Sequence, residues 1–119
     1  MNWETNNQAR LVPKLGSFNY TVQPGDNLFR IARNFNTTIE ILRKFNYIPT
    51  PQLIFPGRQL IIPYSPAEAI IYTVQPGDTL SDIARKFGTY VQNLVDFNYL
   101  DDPDLILVGQ NLVVTASLR

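Results

Sequence analysis

Histidine and cysteine are both absent from this 119-residue chain. Their absence excludes a Ser-His-Asp or Cys-His relay, a cysteine nucleophile and any zinc site ligated by His or Cys. Disulfides are excluded too, so nothing in the sequence reports an oxidising compartment. A charge surplus is also missing, with Lys plus Arg at 10 and Asp plus Glu at 10. A nucleic-acid binder needs a basic excess to neutralise phosphates, so no nucleic-acid partner is expected. No apolar run approaches the roughly 20 residues that span a bilayer, and membrane insertion is not expected either. The stretch from Met1 to Gln8 is polar and lacks the basic region and apolar core of a signal peptide. If the protein is exported, a leader has been removed or another route is used. What is present, 45% hydrophobic and 17% charged residues, describes a globular chain. Its length allows one ordinary domain or two very small ones.

Two small ones are indicated by an internal repeat. Tyr20-Thr21-Val22-Gln23-Pro24-Gly25-Asp26 returns letter for letter as Tyr72-Thr73-Val74-Gln75-Pro76-Gly77-Asp78, an offset of 52. Without gaps, the same offset brings Ile31-Ala32-Arg33 onto Ile83-Ala84-Arg85 and Phe45-Asn46-Tyr47 onto Phe97-Asn98-Tyr99. This is a tandem duplication of a unit of roughly 45 residues. The organisation expected is an N-terminal arm over 1–18, mobile, a first unit over 19–64, a linker over 65–70, a second unit over 71–115 and a tail over 116–119.

Within each unit Tyr20 and Val22 alternate with Thr21 and Gln23, the period of a half-buried strand. Pro24-Gly25 breaks it, and Asp26 (Asp78 in the second unit) stands where a helix N-cap is expected. Leu28, Ile31, Ala32 and Phe35 then recur at helical spacing, as do Leu80, Ile83, Ala84 and Phe87. Thr37 with Glu40, and Thr89 with Gln92, have the spacing of capping boxes for a second helix. Its buried face is expected from Ile39, Leu42 and Phe45, or Val91, Leu94 and Phe97. Asn46 and Asn98 are expected to end it in the left-handed conformation. A proline-containing loop and a closing apolar run, Leu60-Ile61-Ile62, complete the unit. The fold class is therefore α+β: two small βααβ domains, each a two-stranded antiparallel sheet with two helices on one face. A unit this small buries only about 55% of its unfolded surface. Any ligand must therefore lie on the surface or in a shallow groove.

The opening Tyr-Thr-Val-Gln-Pro-Gly-Asp-x-Leu-x-x-Ile-Ala-x-x-Phe, and the ending Asn-x-x-x-x-Pro-x-Leu-Ile-x-x-Gly-x-x-Leu, resemble the LysM (lysin motif) module over 19–63 and 71–114. The resemblance implies recognition of N-acetylglucosamine polymers, chiefly peptidoglycan and also chitin, by binding and not by cleavage. It places the sugar in a groove between the first strand–helix loop and the second helix–strand loop. In the first unit those loops are Gly25, Asp26, Asn27, Leu28 and Phe29, facing Pro51, Gln52, Leu53 and Ile54. In the second they are Gly77, Asp78, Thr79, Leu80 and Ser81, facing Pro103, Asp104, Leu105 and Ile106. Exposed backbone and aliphatic side chains on two facing loops suit an acetamido group, which needs a donor, an acceptor and an apolar seat. Each residue also has a plain structural reading: Asp26 and Asp78 as caps, Gly25 and Gly77 as turn residues, and Leu28, Leu80, Ile54 and Ile106 as core with one exposed edge. Tyr47 and Tyr99 are candidates for stacking on a sugar or for clipping the loop. Phe29 facing Ser81 makes the two grooves unequal.

No catalytic residue, cofactor or metal is expected. No pair of carboxylates stands out as acid and base. The cluster Asp101, Asp102 and Asp104 lacks the alternating register of a calcium loop. The alternative to glycan binding is a structural adaptor, since LysM modules also occur in spore-coat and cortex proteins and in phage-like tail hubs and baseplates. The expected location is a bacterial cell wall, spore or extracellular space after loss of a leader, or otherwise cytoplasmic assembly into a spore or phage-like particle. Charge also divides between the units. Residues 19–64 carry an excess of three positive charges and residues 71–115 an excess of four negative ones. That asymmetry leads to the expectation that the copies contact one another, by docking or self-association, in a salt-sensitive way.

Overall fold

The computed structural model describes residues 15–50, 54–66 and 69–114. Repeat 1 runs β1 (Ser17–Thr21), α1 (Leu28–Asn34), α2 (Ile39–Phe45) and β2 (Gln59–Pro63). Repeat 2 runs β3 (Ile70–Thr73), α3 (Leu80–Lys86), α4 (Val91–Asn98) and β4 (Asn111–Val114). β1 pairs antiparallel with β2, Tyr20 opposite Leu60, and β3 with β4, Tyr72 opposite Leu112. This is the tandem βααβ arrangement expected. Two strands alone are marginal in water, so each sheet depends on the helices that cover it. In repeat 1, Leu28, Ile31 and Leu42 from the helices pack with Leu60 and Ile62 of the sheet, and in repeat 2 Leu80, Ile83 and Leu94 pack with Leu112 and Val114. Residues 1–14 of the arm and the tail lie outside the described residues. Ser17 and Phe18, assigned to the arm from sequence, belong to β1. Phe18 is held there by an edge contact with Phe35, the ring centroids 5.0 Å apart.

The helix starts fall one residue later than the sequence indicates. Asn27 and Thr79, not Asp26 and Asp78, are the N-caps of α1 and α3, accepting from the N–H groups of Arg30 and Asp82 at 2.8 and 3.1 Å. For α2 the cap is Thr38, which accepts from the Ile41 N–H at 3.1 Å. Thr37 closes the preceding helix, its N–H donating to the Ala32 carbonyl at 2.9 Å. Tyr90 holds the cap position of α4 with no side-chain bond. The capping boxes therefore do not form. Glu40 reaches across to repeat 2, and Gln92 donates to Asp96 at 2.9 Å.

Asn46 and Asn98 are not left-handed helix ends. Asn46 is extended, with φ −136°, and Asn98 is the last residue of α4. Left-handed backbone occurs instead at the equivalent turn positions Asn36 and Gly88, and at Tyr99. Both asparagines are buried, and each ties its helix to the closing strand. The Asn98 amide donates to the carbonyls of Leu94 and Val113, both at 2.9 Å, and accepts from the Val113 N–H at 2.7 Å. Asn46 makes the same three bonds to Leu42 and Ile61.

The repeats are docked together. Ile41 and Phe45 of α2 meet Ala69, Tyr99 and Val113 in one apolar cluster, with the Phe45 and Tyr99 rings edge to face at 4.8 Å. Around it, Lys44 donates to the Tyr99 carbonyl, the Asn111 N–H donates to Glu40 at 3.1 Å, and Asn36 donates to the Ala69 carbonyl at 2.8 Å. The contact expected from charge asymmetry is present on a different basis. Among the described residues it rests on apolar burial and on bonds to backbone groups, which salt screens little. Tyr99 is thereby a seam residue, whereas Tyr47 is 81% exposed on its loop.

The asparagine clamp gives a direct expectation. Asn98→Leu leaves the buried Val113 N–H unpaired and destabilises the protein by about 2 kcal/mol, read as a lower urea midpoint with an unchanged slope.

Candidate functional site

Two turns bring the framing loops into place. Gln23-Pro24-Gly25-Asp26 is a tight turn closed by Asp26 N–H donating to the Gln23 carbonyl at 3.0 Å, with Gly25 at φ +89°. Proline second and a positive-φ residue third is the pattern of a type II turn, which favours glycine at that place. The repeat 2 turn, Gln75 to Asp78, matches it. The second loop is stitched back onto the first strand. Val74 N–H donates to the Gln110 carbonyl at 2.8 Å, and Gly109 N–H donates to the Val74 carbonyl at 2.9 Å. Val22 makes the corresponding bonds with Arg58 and Gly57. Both loops of each repeat are thus anchored on one buried valine.

The aspartate that is not a cap clips the first turn shut. Asp26 accepts from the Tyr20 hydroxyl at 2.5 Å and from the Gln23 N–H at 2.8 Å. Asp78 accepts from Tyr72 and Gln75 at the same distances. These donors, the tyrosine hydroxyl first, hold both carboxyls below the usual carboxylate range and push the two tyrosine hydroxyls up. Asp78 is therefore a fixed anion that offers an acceptor, not a proton.

In repeat 2 the loops converge on a cleft of about 210 Å³. Asp78, Thr79, Leu80 and Ser81 line it from the first loop, and Pro103, Asp104 and Ile106 from the second. Two residues singled out from sequence are not in its lining. Gly77 is at the turn, and Leu105 is exposed and lines a different surface cavity with Leu107 and Val108. One lining residue was missed, Val91 at the start of α4. Its helical spacing with Leu94 assigned it to the core, and it is only half-buried. The Asp101, Asp102 and Asp104 segment is a turn in which Asp102 accepts from the Asp104 N–H at 2.9 Å.

In repeat 1, Pro51, Gln52 and Leu53 lie outside the described residues. Of the rest, Gly25 is the turn glycine, Asp26 is the clip, Asn27 is the helix cap, Leu28 is fully buried and Ile54 is packed half-buried against the core. Phe29 stands 58% exposed with the Arg33 guanidinium 5.4 Å from its ring centre.

The clip has a definite pH signature. A depressed aspartate pKa contributes stability that is complete above the unfolded value of about 3.9 and is lost as pH falls through the folded value. A raised tyrosine pKa contributes stability below about 10, lost as pH rises through its folded value. Tyr72→Phe removes the first donor, so the Asp78 carboxyl, followed by NMR, titrates at higher pH than in wild type. An unchanged Asp78 titration contradicts the clip.

A family model, described as the LysM domain, matches residues 20–63 and 72–115. Curated relatives include an N-acetylmuramoyl-L-alanine amidase sle1 of Staphylococcus saprophyticus, 35% identical over 106 residues, covering 82% of this chain and 32% of that protein. An autolysin of Enterococcus faecalis is 36% identical over 112 residues, covering 80% of this chain and 15% of the relative. The cell wall-binding protein YocH of Bacillus subtilis is 36% identical over 94 residues, covering 79% of this chain and 32% of the relative. The chain spans about a third or less of the length of these relatives. With both repeats matched from first strand to last, the chain belongs to the LysM domain family, as two such domains in tandem.

Proposed function

We propose that the protein is a non-catalytic binder of N-acetylglucosamine-containing glycans, peptidoglycan in the first place and chitin in the second. It takes them through one shallow groove per repeat and acts at the bacterial cell wall. The observation that carries this reading is the repeat 2 cleft, where two loops meet around Val91 and Ile106. Their aliphatic surfaces seat an acetamido methyl, while Thr79, Ser81 and the fixed Asp78 carboxylate provide hydrogen-bonding groups for amide and hydroxyls. Names of relatives, a cell wall-binding protein and an autolysin among them, point to the same polymer. Each groove alone is weak. Joined in one chain, the second site sees an effective concentration of up to about millimolar, so long glycans are held better than short ones.

The adaptor reading, in a spore layer or a phage-like tail, draws on a separate feature. Leu105, Leu107 and Val108 are each more than 60% exposed on one loop beside Glu40 and Lys44. Protein partners use such patches.

Co-sedimentation with purified peptidoglycan and with chitin separates the two readings. Wild type is expected in the pellet, and Ser81→Trp, which fills the repeat 2 cleft, lowers the bound fraction while circular dichroism is unchanged. A wild type left in the supernatant with both polymers contradicts glycan binding.

A further inference from the structure

The repeat 2 cleft holds an unbalanced set of hydrogen-bonding groups. Asp78 and Asp104, one from each framing loop, both line it. The bonds from Tyr72 and Gln75 fall on the same oxygen of Asp78, Oδ2. The other oxygen, Oδ1, keeps its lone pairs for a ligand. Asp104 is exposed and donates through its backbone N–H to Asp102 at 2.9 Å, and among the described residues nothing engages its carboxylate. Against these two anions the side-chain donors of the lining are the Thr79 and Ser81 hydroxyls. Thr79 already spends its oxygen as the acceptor that caps α3. Acceptors therefore outnumber donors, and the cleft is negative.

Repeat 1 does not share this charge. Counted 52 positions back, Asp104 corresponds to the neutral Gln52, and Asp82 to Arg30. The Arg30 charge acts on Asp26 and helps to hold its carboxyl down. Repeat 2 has Asp82 at that place, paired with Arg85 at 3.4 Å. The cation that acts on Asp78 is Lys86, which lies over the Tyr72 ring at 4.9 Å and is not part of the cleft lining. Duplication has thus left one repeat with a carboxylate offset by a guanidinium, and the other with two carboxylates facing the ligand.

We propose that the repeat 2 cleft selects glycan carrying a free amine, the ammonium of a de-N-acetylated glucosamine residue in a chain that also carries acetylated ones. The proposal rests on the glycan-binding reading and adds to it a preference for partly de-N-acetylated polymer. An acetamido group offers one N–H, whereas an ammonium offers three together with a positive charge. Its bonds to Asp78 Oδ1 and to Asp104 are charge-assisted, which makes them stronger than bonds between neutral groups. Val91 and Ile106 still seat the methyl of an acetylated residue, so a chain of mixed acetylation uses both surfaces of the cleft. The same two charges disfavour a sugar that bears a carboxylate.

The test is an NMR titration of the whole chain with the N-acetylglucosamine hexamer and with a partly de-N-acetylated hexamer. It is run at about pH 5.5, between the ordinary carboxylate and amine ranges. Followed at Thr79 and Ser81, the amine-bearing hexamer binds about threefold more tightly, the size of one exposed ion pair. High salt removes the difference. Asp104→Asn, which restores the neutral chemistry of repeat 1, lowers the ratio of the two affinities towards one, and Asn27 and Phe29 of repeat 1 report no preference. Lysine amide, an ammonium without a sugar, leaves Thr79 and Ser81 unshifted. A response to it equal to that of the amine-bearing hexamer overturns the proposal, because the cleft then reads charge alone. Equal affinities for the two hexamers, with Thr79 and Ser81 responding to each, also overturn it and leave glycan binding standing. Silence towards both hexamers overturns both.

Discussion

A buried polar group must find a partner, and in each repeat that constraint fixes where the loops stand. Asn46 and Asn98 satisfy it by tying the end of the second helix to the middle of the closing strand. The long loop between them thereby has both roots held in one place. The Tyr20–Asp26 and Tyr72–Asp78 bonds do the same for the short loop, pinning the turn against its own strand. Val22 and Val74 then join the two loops through backbone bonds. A unit with a core this small has little packing to position a site. Directional bonds supply the geometry that apolar contact alone leaves loose.

Much of this was legible in the sequence. The letter-for-letter repeat, the alternation at Tyr20–Gln23 and the helical spacing from Leu28 to Phe35 gave the order of elements and both strand pairings. They are local periodicities, and local periodicity is what a sequence displays. The misassigned residues are those with two plausible partners. Asp26 stands one position before Asn27, and either could cap α1. The nearby Tyr20 hydroxyl decides it by engaging the aspartate. Asn46 was read by its position at a helix end, because its true partner, Ile61, lies 15 residues further on with no pattern connecting them. Of the cleft in repeat 2, the two loops were foreseen and Val91 was not, since a half-buried residue on an apolar helix face looks like core.

The seam between the repeats was foreseen for the wrong reason. Opposite net charges predict a contact, yet what joins the copies is the Phe45–Tyr99 ring pair and the residues around it. Lys44 and Glu40 contribute by bonding backbone groups of repeat 2. Duplication gave two similar units, and docking made them unequal. Ile41 is buried in the seam, whereas its counterpart Asn93 donates to the Thr89 hydroxyl.

The account holds that glycan lies between the two loops of a repeat. A crystal structure of the protein with an N-acetylglucosamine oligomer tests this most directly. The account predicts a sugar ring in the repeat 2 cleft, its acetamido methyl against Val91 and Ile106, with contacts to residues 78–81, Pro103 and Asp104. A sugar bound instead on the exposed Leu105, Leu107 and Val108 patch, with the cleft empty, would contradict it.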